Sequence, residues 1–469
     1  MIRTKLLILT IFCALIVAAQ PAVDNFRKNA LLQRANISLL VKNITTGKTI
    51  AEYNSRLSVV PASTMKVVST ATALELLGRE YRFKTTLEMD GQLLKDGTLN
   101  GNLYINGGGD PTLGSDKLGD KNFLQKWVEA VQSAGIKRIN GKIIAVESCL
   151  EKQVINPRWT WEDMGNYFAP GIHSISYLDN TFKVVFNSGR IGTAPEIIRT
   201  EPEIPLLEFD NQLISSSTKS DNCYFYGAPY SLIRSLVGEI PANRNEFVSK
   251  GDMPHPALIL LNDFDKALNT AGVETKSKLE QQFTASNNKV IYTHFSPILA
   301  EIISEVNFQS NNHYAEYVFK QISRTATVAG SSEGSATKIS DYWAQKGLST
   351  KELFQYDGSG LSPVNAVSAN FFVELLEYMN KKSANSGAFF ASLPVSGKTG
   401  TLKNFLSNTS LAGKVHAKSG TILRVKSYTG YIETSKGILA FAVVVNNANG
   451  ASKEVTAKIE NFLLEVSGR

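Results

Sequence analysis

Cysteine and histidine are scarce in this 469-residue chain, which has three of the first and five of the second. No C-x-x-C pair exists, and His173, His255, His294, His313 and His416 never fall three or four residues apart, so the common zinc spacings are excluded. No metal or other cofactor is expected. Charge of one sign is also lacking, since 49 Lys and Arg stand against 42 Asp and Glu without a long basic run, which excludes the usual nucleic-acid binder. Long apolar stretches are absent apart from Leu6 to Ala19, preceded by Arg3 and Lys5. That run is shorter than the roughly 20 residues a membrane-spanning helix needs. With Val17 and Ala19 as the small residues before Gln20, residues 1–19 read as a cleaved export signal, and losing Arg3 and Lys5 takes the formal charge from +7 to +5. A protein acting outside the cytoplasm, periplasmic or extracytoplasmic, is expected. There Cys149 and Cys223 could form one disulfide, although the sequence does not bring them within bonding reach.

What is present is an α+β pattern. Residues 36 to 53 alternate as a hairpin around Thr45-Thr46-Gly47-Lys48. Val67, Val68, Ala71, Leu74 and Leu77 then recur at helical spacing until Gly78. From about 85 to 289 the chain turns to short strand-like runs with Asp90-Gly91 and Asp96-Gly97 as turns. Helical stripes return in Pro297 to Val306, His313 to Ile322, Ser335 to Gln345 and Ser368 to Lys381. Val415 to Lys418, Ser427 to Glu433 and Leu439 to Val445 read as strands, and Lys453 to Val466 as a closing helix. The first hairpin and the last three strands can form one antiparallel sheet packed by helices. This predicts a split catalytic domain, 20–84 and 290–469, around an inserted strand-rich accessory region, 85–289, of one or two domains.

Ser63-Thr64-Met65-Lys66 puts a hydroxyl and an amine three residues apart at a helix start, a nucleophile and a base on one turn. A capping serine and a solvated lysine would fit the same four residues. Ser216 to Lys219 and Ser335 to Lys338 share the spacing, but the first lies in a polar stretch and Ser335 reads as an N-cap after Gly334. Only the helix after Ser63 is apolar enough to be buried, and burial favours a neutral amine at Lys66.

The order S-x-x-K, S-x-N, K-[ST]-G resembles that of penicillin-binding proteins and serine β-lactamases. Five S-x-N matches occur, at Ser220, Ser286, Ser310, Ser368 and Ser383. Ser310 and Asn312 are chosen because they sit in a short polar break between two apolar helices. For the third element, Lys398-Thr399-Gly400 has no strand after it, whereas Lys418-Ser419-Gly420-Thr421 ends the run from Val415 and leads into the last strands, so Lys418 is chosen. Gly107 to Leu113, Trp159 to Pro170, Asp357 to Ser362 and Leu393 to Gly397 extend the resemblance over nearly the whole mature chain. The chain is similar to the low-molecular-mass class C penicillin-binding proteins, D-Ala-D-Ala carboxypeptidases and endopeptidases of DacB type. In that family the segment Leu393 to Gly397 precedes the true third motif, and Ser419 stands where Thr is usual.

The resemblance implies a penicillin-binding, β-lactamase-like transpeptidase domain acting on peptidoglycan stem peptides and cross-links, with β-lactams as covalent inhibitors. It implies Ser63 as nucleophile, neutral Lys66 as base and Ser310 as proton relay. Lys418 would keep positive charge beside Lys66, Asn312 would hold the substrate amide or orient Lys66, and Lys418 with Ser419 would receive the terminal carboxylate. The backbone N–H groups of Ser63 and Thr421 would form the oxyanion hole. Competing readings are a serine β-lactamase, an inactive peptidoglycan-binding homologue, and an α/β-hydrolase built on Gly330-Ser331-Ser332-Glu333-Gly334, whose chain order leaves only His416 after the serine.

Overall fold

The computed structural model describes residues 20–276, 278–285 and 288–468. The expected export signal at 1–19 lies outside them, as do Ser286 and Asn287 of one S-x-N match. The chain divides into two compact units, one comprising residues up to Arg79, Leu299–Asn311 and Ser332–Arg469, the other Glu80–Ile298 and Asn312–Ser331.

The first unit contains α1 (Gln20–Arg27), β1 (Asn36–Asn43), β2 (Thr49–Tyr53), α2 (Met65–Leu77), α3 (Leu299–Gln309), α4 (Ser332–Gln345), α5 (Ala369–Lys381), α6 (Ser386–Ala391), β3 (Val415–Ile422), β4 (Val425–Thr434), β5 (Gly437–Asn446) and α7 (Ser452–Ser467). Its sheet runs in the order β2-β1-β5-β4-β3 and is antiparallel throughout. The opening hairpin thus lies beside the closing three strands, with β3 at an edge. Leu39, Val41, Phe441, Val443 and Val445 share a core with Phe26 of α1 and Phe462 of α7, whose rings lie 5.0 Å apart. From the opposite side α5 is fixed by Tyr431, whose hydroxyl donates to the Leu376 carbonyl at 2.8 Å. α2 is buried on all sides from Met65 to Leu74, as expected of a helix whose apolar residues are not confined to one stripe. Gly78, at φ 82°, ends it. Ser335 is a correction: α4 begins at Ser332, so Ser335 lies buried inside its first turn and does not cap it.

The second unit has a mixed sheet. Lys84–Met89 pairs antiparallel with Leu103–Asn106 and Lys289–Phe295, while Leu103–Asn106, Ile143–Val146 and Leu279–Gln282 run parallel. Helices Phe123–Ser133 and Pro256–Thr270 contribute Trp127, Val131, Leu260 and Phe264 to its core. Further antiparallel pairing joins Thr181–Ser188 to Arg244–Asp252. Cys149 and Cys223 are both free thiols here.

Candidate active site

The turn before α2 sets the geometry. Ala62 has φ 49°, a left-handed conformation that an alanine adopts only under external constraint. The constraint comes from both sides. Gly360, at φ 78°, packs so closely that a Cβ there would stand 1.9 Å from the Ala62 carbonyl oxygen. On the other side Ser427 of β4 donates its hydroxyl to the Pro61 carbonyl at 2.6 Å, and Thr64 does the same at 2.7 Å. The turn Ala62–Thr64 is therefore clamped between a loop and the sheet, and Ser63 leaves it at the mouth of α2.

Lys66, one turn on, is fully buried. Its Nζ donates to Ser63 Oγ at 3.0 Å and to the Ser359 carbonyl at 2.6 Å. The loop that offers this carbonyl is held by Asp357, whose carboxylate accepts from the backbone of Gly360 at 2.8 Å and Ser362 at 2.7 Å and from Asn365 Nδ2 at 2.8 Å. It docks on α2 through Ser69, whose hydroxyl donates to the Gly358 carbonyl at 2.9 Å. The segment Asp357 to Ser362 stood out in the sequence, but its task of presenting a backbone carbonyl to Lys66 leaves no side-chain signature.

Lys418 reaches the site from β3. It is fully buried, and Nζ donates to Ser310 Oγ at 2.9 Å and to the Ser419 carbonyl at 2.7 Å. Burial pulls Lys418 well below the ordinary lysine value, with the charges of Lys66 and then Lys426 adding to the effect. The repulsion between Lys66 and Lys418 is mutual, so a proton on one makes a proton on the other harder to hold. Ser310 follows α3 at φ 59°, a second left-handed non-glycine residue. α3 is anchored by Asn307, whose Nδ2 donates to Ser392 Oγ at 2.8 Å.

Gly420 explains the glycine of the third motif. A Cβ there would meet Ser427 Oγ at 2.3 Å, the Pro61 carbonyl at 2.7 Å and the Ser63 nitrogen at 3.0 Å. Only a bare backbone lets β3 run this close to the nucleophile turn. Ser419 and Thr421 point away from Lys418 along the alternation of β3. Ser419 Oγ bonds Thr401 Oγ1 at 3.0 Å, and Thr421 Oγ1 accepts from Lys426 at 2.9 Å.

Ser63, Lys66, Ser310 and Lys418 are thus joined within one unit by direct hydrogen bonds or mutual repulsion, with Ser419 and Thr421 on the same strand as Lys418. Asn312 opens the helix Asn312–Ser323, assigned to the second unit, and its Nδ2 donates to the Phe168 carbonyl at 2.9 Å. The other matches have local duties. Ser368 caps α5 by accepting from the Phe371 N–H, Ser383 donates to Glu75, and Thr399 accepts from the Val395 N–H at 2.9 Å in a turn that precedes the 3-10 segment Gly400–Leu402.

Similarity to known proteins extends over nearly the whole chain. The profile of the D-Ala-D-Ala carboxypeptidase 3 (S13) family matches residues 19–466. The chain is 26% identical to a D-alanyl-D-alanine carboxypeptidase of Actinomadura sp. strain R39, over 91% of this chain and 81% of that one. Its fold is similar to the crystal structure of penicillin binding protein 4 (dacB) from Haemophilus influenzae, with a TM-score of 0.81 at 21% identity, covering 95% of this chain and 99% of the other. The same Haemophilus protein complexed with a novel β-lactam gives a TM-score of 0.78 at 19% identity, over 96% and 99%.

Proposed function

The chain belongs to the D-Ala-D-Ala carboxypeptidase 3 (S13) family, and we propose that Ser63 is the nucleophile with which it cleaves D-alanyl bonds in peptidoglycan peptides. It is a serine-type D-Ala-D-Ala carboxypeptidase. The observation that carries the assignment of Ser63 is its 3.0 Å hydrogen bond to a fully buried lysine.

Lys66 takes the hydroxyl proton as Ser63 Oγ bonds to the carbonyl carbon of the penultimate D-alanine. The C–N bond then breaks as the proton held by Lys66 passes through Ser310, hydrogen-bonded to Lys418, to the departing amine, which leaves Lys66 neutral again. The ester left on Ser63 is hydrolysed when water adds to its carbonyl, gives a proton to Lys66 and releases the acid, Ser63 Oγ regaining its hydrogen. Backbone N–H groups of Ser63 and Thr421 hold the oxyanion, and the close approach of Gly420 to the Ser63 nitrogen supports their pairing. Lys418 and Ser419 receive the terminal carboxylate, and Asn312 the substrate amide. A D-alanyl cross-link presents the same bond, so one site serves both terminal trimming and cross-link cleavage. β-Lactams acylate Ser63 by the same attack, a reading supported by the β-lactam complex of the Haemophilus protein.

Export by residues 1–19 and action in the periplasm or outside the cell fit a peptidoglycan substrate. No helix among the described residues is long and apolar enough to cross a membrane. Residues 85–289 form the accessory region in this reading.

Labelling with a fluorescent penicillin tests the assignment. Wild type should be labelled and Ser63→Ala should not; labelling that survives the substitution removes Ser63 from the mechanism, and an unlabelled wild type favours a protein that only holds wall peptides. Hydrolysis of purified muropeptides then separates trimming of monomers from cleavage of dimers.

A further inference from the structure

Lys426 has no part in the three motifs, yet it stands directly opposite Thr421 in the β3–β4 register. Its Nζ donates to Thr421 Oγ1 at 2.9 Å, and the ammonium lies 5.4 Å from the centre of the Tyr428 ring. That ring is itself stacked on Phe405, 4.2 Å away and tilted by 13°. The side chain is half-buried and held at its head and along one side. Among the described residues no ion pair neutralises it, and its charge is felt as far as Lys418. A cation held in a fixed place beside the exposed Thr421 hydroxyl, with no counter-ion among the described residues, is an unfinished anion site.

The hydrogen bond also has a direction. A lysine ammonium only donates, so Thr421 Oγ1 must accept, and the threonine's own hydrogen is turned elsewhere. Donation from a charged group strengthens the donor character of that hydroxyl.

We propose that Lys426 is a positioning residue for the carboxylate end of the substrate: by holding Thr421 Oγ1 as an acceptor it aims the Thr421 hydroxyl at the carboxylate of the leaving D-amino acid, and its unneutralised charge draws that carboxylate to β3. This rests on the reading of Lys418 and Ser419 as receiving the terminal carboxylate, and extends it along the same strand to the Thr421 side chain. The reaction itself is untouched, because Lys426 acts through Thr421 and not on the reacting atoms.

Steady-state kinetics on a D-Ala-D-Ala-terminated peptide test this with Lys426→Met, which keeps the length and removes the charge, and Lys426→Arg, which restores charge and donor. The Met variant should raise KM by about tenfold, the usual worth of one charge-assisted hydrogen bond, with kcat changed far less. KM in wild type should rise with added salt, and more weakly so in the Met variant. The Arg variant should recover most of the affinity. A loss confined to kcat, an unchanged KM, or failure of Arg to restore what Met removed would overturn the proposal. Melting of both variants identifies a folding defect, and Thr421→Val, which removes the intermediary hydroxyl, must then reproduce the KM effect for the proposal to stand. If Ser63→Ala abolishes penicillin labelling while Lys426→Met leaves KM unchanged, this inference fails and the assignment of the nucleophile survives.

Discussion

Lys418 in the first unit and Arg234 in the second are both fully buried cations, and their surroundings could hardly differ more. Arg234 donates through Nε to Asp252 Oδ1 at 2.9 Å and through Nη1 to the Ser231 and Ile233 carbonyls at 2.7 and 3.1 Å. Lys418 has a hydroxyl and a carbonyl for partners, no carboxylate within ion-pair distance among the described residues, and another ammonium as its electrostatic neighbour. The first arrangement compensates a buried charge, and the second leaves it poised to lose a proton. A compensated cation holds a fold together; a frustrated one stores the driving force for chemistry.

Exchanging each cation for an apolar side chain should break this contrast in opposite ways. Lys418→Met should lower the rate of β-lactam acylation by about 100 to 1,000-fold, the range typical of removing one electrostatic element from an active site. It should nevertheless melt no lower than wild type. Because the folded value of Lys418 is depressed, the folded state holds this proton less well than the unfolded chain, and stability contributed at this position rises with pH toward 10.5. The stability advantage of the Met variant should therefore be largest at neutral pH and shrink as pH is raised toward that value.

Arg234→Met should do the reverse, costing about 3 to 5 kcal/mol because Asp252 is left buried and unpaired. Burial alone already holds the Asp252 carboxyl above its ordinary value of 3.8, with Arg234 as the chief opposing influence. In the variant the folded state should bind that proton more tightly than the unfolded chain, so the loss of stability should diminish as pH falls toward 3.8. Replacing Asp252 as well, by leucine, should recover most of it. Denaturant titrations over a pH series check both signs. If Arg234→Met destabilises equally at all pH values, the buried pair is not its cause.

A smaller effect concerns the pH profile of wild type. Acylation should rise with pH with a midpoint below 10.5, as the Lys66 and Lys418 pair gives up one proton. The smallest effect expected is that of Lys398→Ala, which should leave acylation within about twofold of wild type, as for ordinary exposed substitutions. A loss equal to that of Lys418→Met would reassign the third motif.

Much of the first unit was legible in the sequence for a physical reason. The strands that frame the site are eight to ten residues long, β5 being an almost unbroken apolar run, and α2 has no polar stripe at all, so length and burial could be read without partners. Ser310 was legible as a break between two apolar helices. The Ser359 carbonyl was not, because any residue type supplies one. Lys426 was hidden for a related reason, since only the cross-strand register opposite Thr421 gives it meaning. In the second unit the parallel alignment of Leu103–Asn106, Ile143–Val146 and Leu279–Gln282 joins segments far apart in the chain, and strands of four residues leave too short an alternation to reveal pairing. The helix Gln20–Arg27 was also missed: its eight residues earn their place by packing Phe26 on Phe462, a long-range contact.

The hydroxyl of Ser427 reaches the Pro61 carbonyl from a strand that bears no motif residue. Like a set-screw, it fixes how far the nucleophile turn stands from β3. Substituting Ser427 is therefore expected to move Ser63 while leaving every group assigned to bind or attack the substrate in place.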